Sequence, residues 1–163
     1  MWALRIGDAT SKEASEDMQR RDWLLLLLAL REASEALDPV RLQKGMFLLA
    51  RESDLPVAES YAFDQYDYGP CSVEIYGDLN VLHGRSLVEC LRAPGYTWLR
   101  YRPTAAGITA AQSILDDMDY IQRQRALFLQ QVKQGVLTMS CRLLLQHVYR
   151  RYPEFCHKSV FKG

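Results

Sequence analysis

The feature that most constrains this chain is one apolar run, Trp23 to Leu30, with Asp22 and Arg31 bracketing it closely. Eight such residues fall far short of the roughly 20 that a membrane span requires. The surrounding segment, Arg20 to Ala36, is rich in leucine and alanine and holds neither Gly nor Pro, so a helix is expected there. Its middle is apolar on every side, so several neighbours or a second subunit must cover it. The 163 residues allow one good core with an appended helical layer. Residues 1–18 are polar and mixed, and read as a weakly ordered lead-in. Residues 19–110 carry the core, and residues 111–163 a helical extension that packs on it or dimerises.

The elements after the first helix follow from local signals. Asp38-Pro39 is an N-cap followed by proline at the first helical position. The helix it starts turns Val40, Met46, Phe47 and Leu49 inward and lets Arg41 and Lys44 project, ending near Glu52. Residues 53–70 read as irregular, with Pro56, Gly69 and Pro70 and a cluster of Tyr61, Phe63, Tyr66 and Tyr68. These aromatics are better read as pegs fixing the loop to the core than as a contact surface. A third helix is expected over Ser72 to His83 on a stripe of Val73, Ile75/Tyr76, Leu79 and Leu82, with Gly84 as a left-handed cap.

The period then changes. Ser86 to Arg92 and Tyr96 to Arg102 read as two strands joined through Ala-Pro-Gly. With Arg92 opposite Tyr96, one face carries Leu87, Leu91, Leu99 and Tyr101. The other carries Val88, Cys90, Arg92, Tyr96, Trp98, Arg100 and Arg102, a basic and aromatic surface. Thr104 caps a long helix reaching toward Gly135. A last helix from Thr138 or Ser140 runs to Tyr152, where Pro153 stops it. The expected fold is thus mainly α with a small β-hairpin. Three helices, a hairpin and a further helix are the element order of a winged helix-turn-helix core with added C-terminal helices. A plain helical bundle is the alternative.

Several short motifs stand in one order along the chain: Leu42-Gln43-Lys44, Tyr66-x-Tyr68-Gly69-Pro70, Leu87-Val88, Tyr101-x-x-Thr104-x-x-Gly107 and Tyr149-x-x-Tyr152-Pro153-Glu154. Together they resemble the YwgA-like family of small prokaryotic proteins and, more loosely, the Panacea domain of toxin-neutralising proteins. The resemblance spans about Arg20 to Ser159. It implies a winged-helix-like fold, no enzymatic activity, and a role in regulation, toxin neutralisation or defence loci.

Charge narrows the function. Lysine plus arginine and aspartate plus glutamate both number 20, so the net charge is zero and any nucleic-acid role must come from local clustering. The third helix offers Tyr76 and Asn80, with Arg85 just past its end, but also Glu74 and Asp78, whose carboxylates would approach phosphate against repulsion. The hairpin residues Arg92, Tyr96, Trp98, Arg100 and Arg102 suit phosphate contact, base stacking or a protein interface. Cys71, Cys90, Cys141 and Cys156 contain no CxxC pair and read as reduced, mostly buried thiols of a cytoplasmic protein. No secretory signal pattern opens the sequence. Cys156-His157 are adjacent while His83, Cys90, Cys141 and His147 are scattered, so no metal is expected. No elbow or Gly-rich turn frames a nucleophile, no phosphate loop is present, and Asp116, Asp117 and Asp119 read as solvated acids on a helix, so neither cofactor nor catalytic residue is assigned. The expectation is a non-enzymatic regulator that binds DNA in a toxin–antitoxin or phage-defence setting. The alternative is an interaction subunit, or antitoxin-like neutraliser, that grips a protein partner. A homodimer through the first and the long helix is open, as is mutual burial of those two helices.

Overall fold

The computed structural model describes residues 18–92, 94, 95 and 97–161. The lead-in before Met18, and Tyr96 among the candidate residues, lie outside the described residues. Six α-helices and two antiparallel two-stranded sheets make a mixed α+β fold among them.

Helix α1 (Arg20–Ala29) is the axis of the core. Trp23 through Leu28 are all buried, five of the six with no exposed surface. Each such side chain contributes about 2 kcal/mol by leaving water. Neighbours within the same chain supply the cover. Helix α2 (Pro39–Glu52) approaches so closely that a Cβ on Gly45 would stand 3.1 Å from Leu27. Helices α4 (Ala105–Asp116) and α5 (Tyr120–Thr138) also pack on α1, and one continuous apolar cluster extends through Val132, Leu144 and Phe155.

Helix α1 ends seven residues earlier than its composition suggests. Lys133 of α5 is 1 % exposed and donates from Nζ to the carbonyls of Leu28 and Leu30, at 2.7 Å each. These are carbonyls that the last turn cannot satisfy itself. Arg31 then turns left-handed (φ 53°), and Leu37 reaches Tyr101 in a two-way main-chain bridge of 2.8 and 2.9 Å.

The same device recurs at other helix ends. Arg41 donates to the carbonyls of Val136 in the last turn of α5 and Met139 at its end, and Arg125 to those of Ser53 and Asp54 beyond α2. Arg123 does so for Asp116 and Met118. Cations belong at helix C-termini, and here they arrive from elsewhere in the chain. Much of the basic residue content is therefore committed to architecture.

The expected single helix from Thr104 to Gly135 is two. Uninterrupted, it would run roughly 46 Å, longer than one small core can bury. Asp119 instead accepts from the Gln122 N–H at 2.8 Å while the Gln122 side chain accepts from the Asp119 N–H at 3.0 Å. That is a capping box, and Asp119 is its cap rather than a mid-helix acid. Helix α6 (Cys141–Arg151) starts on Ser140 and stops before Pro153, as expected.

Residues 53–70 hold more order than expected. A short 3₁₀ turn (Val57–Glu59) is followed by a hairpin of β1 (Asp64–Tyr66) and β2 (Gly69–Cys71), turned through Asp67 and Tyr68. Tyr61 is buried, and Phe63 meets Phe47 edge-on at 5.3 Å, so these two are pegs. Tyr66 and Tyr68 are exposed and are not.

Candidate functional site

Helix α3 (Glu74–Gly84) and the hairpin of β3 (Val88–Arg92) and β4 (Leu99–Pro103) carry the sequence candidates. Their placement starts in α2. Lys44, expected to project, and its neighbour Gln43 are each 2 % exposed. The Gln43 amide donates to the Ser72 carbonyl at 2.9 Å and accepts from the Ser72 N–H at 2.8 Å. Lys44 Nζ donates to the Pro70 carbonyl at 3.1 Å. Burial lowers its pKa to about 8. Gly69 sits at φ 85°, where a Cβ would come 2.9 Å from Tyr149, and Val160 N–H donates to the Asp67 carbonyl at 2.8 Å.

Three motif segments that are far apart in sequence, Leu42 to Lys44, Tyr66 to Pro70 and Tyr149 to Glu154, therefore meet around the start of α3. The other two, Leu87-Val88 and Tyr101 to Gly107, set the root of the hairpin. Thr104 caps α4 through the Gly107 N–H at 3.0 Å and donates to the Ser86 carbonyl at 2.6 Å. Gly107 packs so tightly that a Cβ would fall 1.9 Å from the Leu87 carbonyl oxygen. The motifs are the frame that aims α3 and the hairpin.

On α3 the carboxylates are not where the sequence suggested. Asp78 is 7 % exposed and lies inside. It accepts from the Tyr61 hydroxyl at 2.6 Å and faces Arg20 Nε at 3.3 Å and Arg21 Nε at 3.5 Å. Burial and this bond push the Tyr61 hydroxyl pKa up. Glu74 is tied to Arg20, whose guanidinium lies 4.9 Å from the Tyr61 ring. Ser72 is buried too. The sequence held a signal for this: Ile75, Asp78, Leu79 and Leu82 follow the spacing of an inward stripe, and Asp78 belongs to it.

The outward face of α3 is consequently neutral. Val73, Tyr76, Gly77 and Asn80 lie on it, with His83, Gly84 and Arg85 at its end. Val73 is 62 % exposed and leaves the expected core stripe. Nothing lies within 4 Å of a Cβ built on Gly77, so this face is flat and open. Tyr76 is at its edge: its hydroxyl faces Gln43 and Cys71, and burial raises its pKa. The left-handed residue after the helix is Ser86 (φ 60°), not Gly84.

The hairpin exists but in another register. Arg92 pairs with Leu99, Cys90 with Tyr101 and Val88 with Pro103. The expected partner of Arg92 was Tyr96, three positions away, and an odd shift moves one strand's side chains to the opposite face. Val88, Cys90, Leu99, Tyr101 and Pro103 therefore face the core together. Glu89, Leu91, Arg100 and Arg102 share the other face. The expected basic face is divided: Arg92 lies at the outer end of the core face, and Arg102 is paired with Glu89 across the strands. Arg85, Arg92 and Arg100 are exposed and hold no ion pair or hydrogen bond among the described residues. Trp98 is 48 % exposed near the tip.

Of the cysteines, Cys141 and Cys156 are exposed rather than buried, and all four are free thiols. No cluster of His, Cys, Asp or Glu able to hold a metal occurs among the described residues, and no described helix is long and apolar enough to cross a membrane. The chain matches no protein-family model and no curated protein.

Proposed function

We propose that the chain is a winged helix-turn-helix protein that binds DNA without chemistry of its own, α3 entering the major groove and the β3–β4 hairpin serving as the wing. One observation carries this: of the two acids of α3, Asp78 is turned into the core and the exposed Glu74 is paired with Arg20. What remains is a flat neutral surface bearing Asn80, a side chain suited to adenine, flanked by the exposed Arg85, Arg92 and Arg100 for phosphate. The order α1, the Leu37 bridge, α2, α3, β3, β4 supports the scaffold. The motif resemblance points to regulation in a toxin–antitoxin or phage-defence setting, in the cytoplasm.

A second reading, an antitoxin-like subunit that binds a protein, draws on the exposed Val73, Tyr76 and Trp98. Retention on random duplex DNA over a salt series separates the two. The DNA reading expects a linear log–log loss with a slope of about −3 for three phosphate contacts. It also expects loss of retention on changing Arg92 and Arg100 together to Glu. No retention at low salt rejects it in favour of the protein partner.

A further inference from the structure

Beside the inner face of α3 lies a cleft of about 360 Å³, lined by Gln19, Arg20, Arg21, Val57, Ala58, Ser60 and Asp78. Its volume is that of a small-molecule site. Its wall is polar, and its donors outnumber its acceptors. The Asp78 carboxylate alone serves the Tyr61 hydroxyl, Arg20 and Arg21. Arg21 Nε is buried and makes no hydrogen bond, since Asp78 at 3.5 Å offers it only charge. Its Nε is a covered donor without an acceptor, which is costly, while the side chain as a whole is 26 % exposed. An oxyanion in the cleft would meet the exposed part of this guanidinium, a fork of donors shaped for carboxylate or phosphate.

We infer that this cleft is an effector site for a small carboxylate or phosphate anion, bound by Arg21 and Arg20 and linked to the position of α3. The link is one side chain long. Arg20 holds Glu74 in the first turn of α3 and Asp78 in the next, so an anion that recruits Arg20 draws on both ties. By reciprocity, whatever α3 binds shifts the affinity of the cleft by the same factor. This linkage rests on the reading of α3 as the DNA-contacting helix, whereas the anion site itself does not.

Thermal unfolding in millimolar inorganic phosphate or succinate, against chloride of equal ionic strength, tests the site. The midpoint should rise by about 3 °C near saturation. The rise should vanish in Arg21→Ala, and also in Ala58→Trp, which fills the mouth from an exposed 3₁₀ turn and leaves the Asp78 cluster intact. No shift over chloride, or one that survives in both variants, overturns the proposal. Phosphate against succinate tells which oxyanion is preferred. Retention on duplex DNA at matched ionic strength should change about fivefold with the effective anion. Retention without that change overturns the linkage. An Arg21-dependent thermal shift in a chain that never binds DNA upholds the site and rejects the assignment of α3.

Discussion

The first hairpin, Asp64–Cys71, has strands of three residues and is gripped from three directions: by Lys44 from α2, by Tyr149 from α6 and by the Val160 N–H. The second, Val88–Pro103, has strands of five and is tied at its root, where Leu37 pairs with Tyr101, Gly107 presses on Leu87 and the His83 ring lies 3.1 Å from the Val88 carbonyl. Its outer end, with Arg92, Trp98 and Arg100, stands in solvent. Isolated hairpins are marginal in water, so each is as stable as its attachments. The gripped one fixes where α3 begins. The second has exposed arginines at its outer end to offer a partner.

The sharpest way to break this contrast is at Gln43. Gln43→Leu keeps the volume but strands the buried N–H of Ser72 and removes one of the donors to its carbonyl. The Ser72 carbonyl keeps the Ile75 N–H at 3.2 Å, so the unsatisfied Ser72 N–H sets the loss, about 2 kcal/mol in urea unfolding. A loss below about 1 kcal/mol would mean that the brace at α3 is ornamental.

A smaller effect concerns the buried lysines, Lys44 behind the first hairpin and Lys133 at the end of α1. Burial lowers each from an ordinary 10.5 to about 8. Between those values the unfolded chain binds more protons, so stability rises with pH from about 8 upward. Above about pH 9 the thiols of Cys71, Cys90 and Cys141, whose pKa is raised by partial burial, act in the opposite sense. Urea midpoints from about pH 7.5 to 9 should therefore show a rise worth about 1 kcal/mol per lysine. Lys44→Met should halve that rise. A flat profile in the unaltered chain would mean that these ammonium groups are hydrated.

Much of this architecture is legible in the residues. Asp38-Pro39 marks α2, Thr104 marks α4, and Trp23 to Leu30 announces a buried axis. What escapes has physical reasons. Strands of three residues are too short to display a period, so Tyr66 to Pro70 passes for loop. Hairpin register depends on loop length, and the turn through Pro94 and Gly95 gives no sign that β4 begins at Leu99 rather than Tyr96. Lysine is expected in solvent, and nothing near Lys133 in sequence reveals the carbonyls of Leu28 and Leu30, more than a hundred residues away. The candidate surface was half legible. Asn80, Arg85, Arg92 and Arg100 are exposed as expected, whereas the inward turn of Asp78 and the pairing of Arg102 need the fold.

The finest test lies within the second hairpin, where neighbours on one face should answer two assays in opposite ways. Arg100 is exposed and unpaired among the described residues, while Arg102, two positions on, is bound to Glu89 on the facing strand. Arg100→Ala should leave the urea midpoint unchanged within about 0.5 kcal/mol yet weaken duplex DNA retention and lower its salt slope by about one. Arg102→Ala should cost about 0.5 kcal/mol, the usual worth of an exposed cross-strand pair, and leave the slope where it was. Equal effects of the two on retention would mean that Glu89 does not hold Arg102 back from the partner. A stability loss at Arg100 above about 1 kcal/mol would mean that the outer end of this hairpin is packed as firmly as the first.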